Sequence, residues 1–210
     1  YNSYKLFDGD VNLQTRVLYS DIDDLSHLTT NSAGYIGNLI GAALYWRPSL
    51  NTTNADGSYN VISANYLNPK QLLDSYDDST NTKRLLANFN VSVNLSDKLT
   101  FRTIFGVDRS TSTREAQLLP SIDILDTAQS GDNRGQASVY NDQRFNKTFE
   151  NTLNYVDSVN GVDIDLLAGF SYYSYLSEGS NLQAKGFNAD QVDLINNLGG
   201  VVDVNTGYSR

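Results

Sequence analysis

The chain has 210 residues, of which 40% are hydrophobic and 19% charged, and its formal net charge is −9. This acidic balance disfavours nucleic-acid binding, because a negative surface repels phosphate backbones. The absence of cysteine excludes disulfides and thiolate metal sites, and the single histidine, His27, excludes a histidine cluster. No apolar stretch approaches the roughly 20 residues that a membrane helix needs.

Alternation of apolar and polar residues predicts about six β-strands along the chain. The predicted strands are 1–7, 11–19, 85–95, 99–107, 145–155 and 162–172. A membrane-spanning β-strand needs only about 10 residues, and only alternate residues must be apolar. Several of these segments are long enough for that role.

Short turns and long loops alternate between the predicted strands. Asp8-Gly9, Ser96-Asp97 and residues 157–161 form the turns, and Asp8-Gly9 has the residue types of a type I′ hairpin. The long loops lie at about 20–83, 109–144 and 176–210. Loops of this length are rare in compact soluble domains. Short turns at one end of the strands and long loops at the other are typical of an outer-membrane barrel.

The two faces of the predicted strands differ in a way that also favours a barrel. One face carries mostly Asn, Gln, Ser and Thr, which suits a water-filled lumen, and the other is apolar and would meet lipid. Aromatic residues near the strand ends resemble the two girdles of a barrel, although such residues are also good strand formers. They are Tyr4, Phe7, Tyr19, Phe101, Tyr155, Tyr172, Tyr173 and Tyr175. Asn151 is an exception, because it falls on the apolar face unless a bulge changes the register.

An ordered set of motifs resembles the SusC/RagA family of TonB-linked outer-membrane transporters. Residues 68–121 resemble that family's Asn-Pro, its short Leu-rich helix, its TKRLLGN-like strand entry and its LTFRT strand, followed by a loop that ends in Leu-Pro-Ser. Residues 34–60 resemble an earlier loop of the family. Residues 150–155 and 166–173 resemble the next hairpin, and 184–199 the loop beyond it. The order and spacing match over nearly the whole chain.

The resemblance implies an all-β, antiparallel transmembrane barrel segment, with about six strands of a roughly 22-stranded barrel and long extracellular loops that contain a short helix. Residues 1–210 would belong to one outer-membrane barrel domain, with the plug domain and the remaining strands outside this chain. The implied function is import of bulky nutrients, oligosaccharides or peptides, across a bacterial outer membrane. The implied partners are a SusD-like surface lipoprotein, the TonB complex acting through regions outside this chain, and outer-membrane lipid.

Candidate functional residues lie in the first long loop and on the polar strand face. Aromatic side chains in this loop can stack on sugars or pack on peptides, or they can hold the loop together. They are Tyr35, Tyr45, Trp46 and Tyr59. Arg16, Arg102 and Asp108 are expected to face the lumen, where they either line the passage or pair across strands. No catalytic, cofactor or metal motif is recognisable, so the chain is not expected to be an enzyme.

A soluble β-rich module that binds glycans, such as a sandwich, is the alternative hypothesis. The two hypotheses differ in the surroundings of the apolar strand residues Phe89, Val91, Val93, Phe101 and Phe105. A soluble module buries these side chains against a second sheet or a helix. A barrel segment leaves them in a continuous outward band.

Overall fold

The computed structural model describes residues 2–27, 38–62, 66–122, 135–187 and 193–210. These residues form one sheet of seven antiparallel strands, each of which pairs with the next strand in sequence. The strands are β1 (Asn2–Leu6), β2 (Val11–Leu25), β3 (Tyr76–Ser96), β4 (Leu99–Leu118), β5 (Gln136–Val159), β6 (Val162–Phe187) and β7 (Val201–Ser209). The sheet is therefore an up-and-down meander with one strand more than the sequence predicts.

Short turns join the strands at one end of the sheet, which we call the turn end. Asn160 and Gly161 connect β5 to β6 with φ angles of 52° and 82°, the positive values that a type I′ turn requires. A bulge between Asn94 and Ser96 moves the second turn to residues 97–98, one residue beyond the predicted position. The first connection spans residues 7–10 rather than Asp8-Gly9 alone.

Most strands continue beyond their predicted ends toward the opposite end of the sheet, which we call the loop end. β3 begins at Tyr76 rather than at residue 85, and β4 ends at Leu118 rather than at residue 107. The predicted loops at 20–83, 109–144 and 176–210 are therefore too long, and β7 lies inside the third. In these extensions polar residues occupy both faces, so the alternation that indicates a strand is missing from the sequence although backbone pairing continues.

The strand register divides the side chains between two continuous faces. The apolar face is defined by the paired row Thr15, Phe89, Phe105, Phe149 and Tyr172. The polar face is defined by the adjacent row Arg16, Asn88, Gly106, Thr148 and Tyr173. Phe89 and Phe105 are 41% and 44% exposed, and no second sheet covers them in the part of the chain that the structure describes. The apolar side chains thus form the continuous outward band that a barrel segment requires.

The register is regular around Asn151, so the bulge that would move this side chain off the apolar face is not present. Asn151 pairs with Thr103 on one side and Phe170 on the other, in step with the residues before and after it. The amide of Asn151 therefore remains on the apolar face, in the row between Phe149 and Leu153.

Two helices pack over the polar face at the loop end. They are α1 (Leu39–Tyr45) and α2 (Pro69–Ser75), and they lie in the two segments, 34–60 and 68–121, where the family resemblance implies short helices. Leu72 of α2 is buried with Ala42 of α1, with Leu118, the last residue of β4, and with Ile122 beyond it. Leu118 shares the polar-face register of β4, so this packing holds the first long loop over that face.

A second cluster lies on the apolar-face side of the loop end. Ala137 and Ala184, paired across β5 and β6, are buried with Phe187 and Leu194, and a 3-10 helix (Ile195–Gly200) packs beside them. The two loops therefore pack on opposite sides of the sheet. No helix among the described residues is long and apolar enough to cross a membrane.

Candidate functional site

The polar face carries a set of ion pairs near the middle of the long strands. Arg84 of β3 donates two hydrogen bonds to Asp108 of β4, from Nε at 2.9 Å and from Nη2 at 2.8 Å. This bidentate geometry holds both side chains in one orientation. Arg144 and Asp142 of β5 form a second pair at 3.2 Å. Thr82, Ser110, Asn146 and Tyr175 line the same recess as these four charged residues.

Arg16, Arg102 and Asp108 all lie on the polar face, as their strand positions predict. Arg16 is opposite Asn88, and Arg102 donates a 3.0 Å hydrogen bond from Nε to Asn90. Asp108 forms the pair with Arg84. Two of the three side chains therefore bond across strands, and contact of any of them with a ligand stays a prediction.

The four tyrosines predicted near the loop end divide between the two faces instead of forming one girdle, and Tyr172 lies in the central row with Phe105 and Phe149. Tyr19 and Tyr172 lie on the apolar face, whereas Tyr173 and Tyr175 lie on the polar face. Tyr173 donates a hydrogen bond to Glu150, and Tyr175 is 70% exposed. The girdle interpretation is wrong for Tyr173 and Tyr175, because successive residues of a strand point to opposite sides. That alternation could have identified both from the sequence.

A network around one buried carboxylate connects four strands at the loop end of the polar face. Asp78 of β3 accepts hydrogen bonds from Arg114 Nε at 2.9 Å, from Arg114 Nη2 at 2.6 Å and from the Tyr76 hydroxyl at 2.8 Å. The Arg114 guanidinium lies 5.8 Å from the ring centroid of Tyr140, and the Tyr140 hydroxyl accepts from Gln183 of β6 at 2.6 Å. The Asp78 side chain is only 2% exposed. The network therefore fixes the base of the loop that α1 and α2 form.

The surroundings of Asp78 change the pKa of its own carboxyl and that of the Tyr76 hydroxyl. Burial by itself raises the pKa of the Asp78 carboxyl, but hydrogen bonds from Arg114 and Tyr76 and the charge of Arg114 outweigh burial and leave the pKa below its ordinary 3.8. Burial, followed by the hydrogen bond to Asp78 and its negative charge, raises the pKa of Tyr76 to about 12. The ionised carboxylate and the neutral phenol are thus the forms that the fold favours.

These shifts predict a stability profile with two limits. Because the pKa of Asp78 is lowered in the folded protein, the Asp78 carboxylate contributes its full stabilising free energy above about pH 4. That free energy is lost as the pH falls through the pKa that Asp78 has in the folded protein. Because the pKa of Tyr76 is raised in the folded protein, the neutral Tyr76 phenol contributes its full stabilising free energy below pH 10. That free energy is lost as the pH rises from 10 toward 12. Urea unfolding of the detergent-solubilised full-length protein across both ranges measures the profile. An Asp78→Asn variant with an unchanged acid limb would contradict this assignment.

The aromatic residues predicted for the first long loop mostly hold the loop together. Trp46 is buried, donates from Nε1 to the Leu50 carbonyl at 2.9 Å and lies 5.3 Å from the Tyr66 ring. The Tyr59 hydroxyl donates to Asp74 at 2.9 Å. Tyr45 is more exposed, although its ring is 5.7 Å from Tyr66 and its carbonyl accepts from the Tyr66 hydroxyl.

Tyr35 lies outside the described residues. For Trp46 and Tyr59 the contacts favour packing within the loop, whereas ligand contact by Tyr45 and Tyr35 stays a prediction.

Sequence reasoning missed several residues of the polar face, namely Arg84, Arg114, Tyr140 and Arg144. Arg114, Tyr140 and Arg144 fall in the predicted loop 109–144, and Arg84 falls between the predicted loop 20–83 and the strand that begins at residue 85. For Arg84 and Arg114 the available signal was the density of charged residues between residues 76 and 84 and between 108 and 114. Their pairing depends on strand register, which the residue types alone do not encode.

Comparison with known proteins agrees with the motif resemblance. No family model matches the chain. TonB-dependent receptor P3 of Formosa agariphila is 32% identical over 168 residues, which cover 79% of this chain and 16% of the receptor. The chain thus spans a small part of that relative's length.

Solved structures show the same fold. The RagAB peptide transporter matches with a TM-score of 0.66 and 16% identity, over 99% of this chain and 23% of the transporter chain. The RagAB peptide importer matches with TM-scores of 0.66 in its closed-closed state and 0.64 in its open-open state. The seven-stranded meander therefore shares its fold with a segment of these transporter chains. These relatives are a receptor and transporters, which agrees with the expectation that the chain is not an enzyme.

Proposed function

The chain belongs to the TonB-dependent receptors, and from this we propose that it acts as a barrel segment of a SusC/RagA-type transporter. The protein would sit in a bacterial outer membrane and import bulky nutrients, oligosaccharides or peptides. It would act with a SusD-like surface lipoprotein and with a TonB complex that reaches regions outside this chain. The mechanism is gated binding and release, without covalent chemistry.

The division of one sheet into an apolar and a polar face is the observation that carries this proposal. On β5 the apolar face runs from Tyr155 to Phe145. The ten intervals between these residues, at ~3.3 Å each, cover ~33 Å along the strand, or ~23–27 Å of height at a tilt of ~35–45°. That height matches the apolar band of an outer-membrane barrel. The apolar face would therefore contact lipid and the polar face would line the lumen.

The chemistry of the polar face suits a large polar ligand. Its cations at the recess pair with carboxylates of the same face, as in Arg84 with Asp108 and Arg144 with Asp142. Exposed Tyr175 adds an aromatic surface beside them. Such a surface offers hydrogen bonds and ring contacts without a strong net field. Both sugar hydroxyls and peptide amides fit this pattern, and RagAB is a peptide transporter.

The first long loop offers a contact surface for the proposed lipoprotein. Ile40 and Leu44, one turn apart on α1, are 63% and 83% exposed, while Ala42 between them is buried against α2 and the sheet. Exposed apolar residues on an ordered helix are typical of an interaction site. Because α1 packs over the polar face, a partner bound there would cover the entrance to the lumen.

A substitution at Tyr175 tests the lumen assignment. In the full-length transporter, Tyr175→Ala is expected to weaken substrate binding about fivefold, because one aromatic contact contributes about 1 kcal/mol. Tyr172→Ala is the matched control, since Tyr172 is three residues away on the apolar face. Isothermal titration with an oligosaccharide series and a peptide series measures both variants. Equal effects of the two substitutions on affinity would argue against the proposed orientation.

A further inference from the structure

Two cations on the apolar face have no acidic partner within the described residues. Arg109 of β4 and Lys147 of β5 share this face with Phe105 and Phe149. Neither forms an ion pair in the described ranges, whereas Lys83, also on this face, lies 3.9 Å from Asp21. An unneutralised cation on a lipid-facing surface is unfavourable unless an anion from the membrane accompanies it.

Arg109 and Lys147 are close neighbours across two paired strands. Arg109 lies opposite Phe145, and Lys147 lies opposite Val107, so the two cations occupy diagonal positions. Diagonal residues of an antiparallel pair are ~7–8 Å apart at their Cα atoms, within reach of two long side chains. The Lys147 Nζ already lies 4.6 Å from the centroid of the Phe145 ring. One anionic group could therefore contact both cations.

The acidic side chains closest along this face have their own partners. Glu178 of β6 lies 3.2 Å from Arg210, and Asp21 of β2 faces Lys83. Asp157, on the same face of β5, lies near the turn end and binds Lys98 at 2.7 Å. The row that contains Arg109 is otherwise apolar or aromatic, with Tyr19, Leu85, Phe145 and Leu176. The cations thus stand out from an apolar surrounding.

Arg109 lies at the upper boundary of the proposed apolar band, opposite Phe145, and Lys147 lies one row inside it, opposite Val107. Arg109 lies ten residues beyond Leu99, the first residue of β4. At ~3.3 Å per residue and a tilt of ~45°, this places it ~25 Å above the turn end, at the far edge of a typical barrel's apolar band. Beyond this row the same face becomes polar, with Thr111 opposite Gln143 and Thr113 opposite Asn141. This boundary is where lipid headgroups lie.

We propose that Arg109 and Lys147 form a binding site for the phosphate of an anionic lipid in the leaflet next to the long loops. The planar guanidinium can donate two hydrogen bonds to phosphate oxygens, and the ammonium adds a point charge. Phe105, Phe149 and Tyr172 continue the apolar face toward the turn end, where the acyl chains would lie. The inference rests on the proposed membrane orientation and adds a lipid ligand to it.

Lipid binding to the full-length transporter tests the site. Native mass spectrometry in detergent compares phosphatidic acid with phosphatidylcholine of the same acyl chains, and inorganic phosphate is added as a competitor at the lipid concentration. Each cation beside an anionic lipid contributes about a factor of five in affinity. Arg109→Gln with Lys147→Gln should therefore weaken phosphatidic acid binding about 30-fold and leave phosphatidylcholine binding unchanged. Lys5→Gln is the matched control, because Lys5 lies on the polar face.

The outcomes separate this inference from the proposed function. A preference for phosphatidic acid that disappears in the double variant and persists in Lys5→Gln supports the site. Retention of the preference in the double variant overturns it, and so does full displacement of the lipid by inorganic phosphate, which would indicate a site for free phosphate. Absence of binding for both lipids would contradict the proposed membrane orientation, and the lipid site that depends on this orientation would then be wrong as well.

Discussion

A Phe105→Arg substitution is expected to destabilise the folded full-length barrel by about 2–4 kcal/mol, the penalty for a cation on the lipid face near the bilayer midplane. Phe105 lies in the middle of the apolar face, between Phe89 and Phe149. A guanidinium at this position would lose its hydration without gaining a partner, and a change of about 2–3 kcal/mol alters the folded-to-unfolded ratio by a factor of about 30 to 150. Urea unfolding in phospholipid vesicles measures the change.

Ile104→Arg is the matched control for this substitution. Ile104 is adjacent in sequence but lies on the polar face, between Asn90 and Glu150. A new guanidinium there would face a carboxylate and water, so we expect a change of less than about 1 kcal/mol. Equal destabilisation by both substitutions would contradict the assignment of one face to lipid. A large effect of Ile104→Arg alone would invert the assignment.

An Asp78→Ala substitution is expected to destabilise the loop end by about 2–3 kcal/mol, since it removes a charged acceptor of three hydrogen bonds. The Arg114 side chain is half exposed, so water can partly solvate its guanidinium after the substitution. The loss of stability should therefore lie at the lower end of the range for a broken buried ion pair. Tyr76 would also lose the acceptor of its hydroxyl. Hydrogen exchange of β3 and α2 amides in the full-length protein reports the local free energy of opening.

Asp77→Ala provides the control for the loop-end network. Asp77 is the preceding residue, faces the apolar side of the sheet and accepts a hydrogen bond from Gln117 at 2.8 Å. Its removal takes away one hydrogen bond, which contributes about 1 kcal/mol. If Asp77→Ala opened the α1–α2 region as much as Asp78→Ala, the buried network would not be what holds that loop.

Local chemistry explains why the hairpins at the turn end could be predicted. The stretch from Asn88 to Asp108 alternates strictly on both sides of its turn, and the structure pairs Asn88 with Gly106 in that register. Asn160-Gly161 carries the residue types of a type I′ turn, and both residues have positive φ. In these segments the residue pattern, the turn chemistry and the pairing all agree.

The loop end could not be predicted in the same way. β7 (Val201–Ser209) alternates weakly, so its sequence indicates a loop, and among the described strands it pairs with β6. The extensions of β3 and β4 carry polar residues on both faces, with Thr82 and Ser112 on the polar face and Asn81 and Thr113 on the opposite face. Without a buried face, a strand has no period-two signal, and only pairing with a neighbouring strand reveals it.

The sequence by itself determined the strand type, the turn positions to within a residue or two, and the division into an apolar and a polar face. These features follow from short-range alternation and turn chemistry. The tertiary structure alone decided which charges meet. Asp78 and Arg114 are 36 residues apart, and Arg84 and Asp108 are 24 apart. Their contacts exist because the turn at residues 97–98 sets the register of β3 against β4, and a shift of one residue would place each partner on the opposite face.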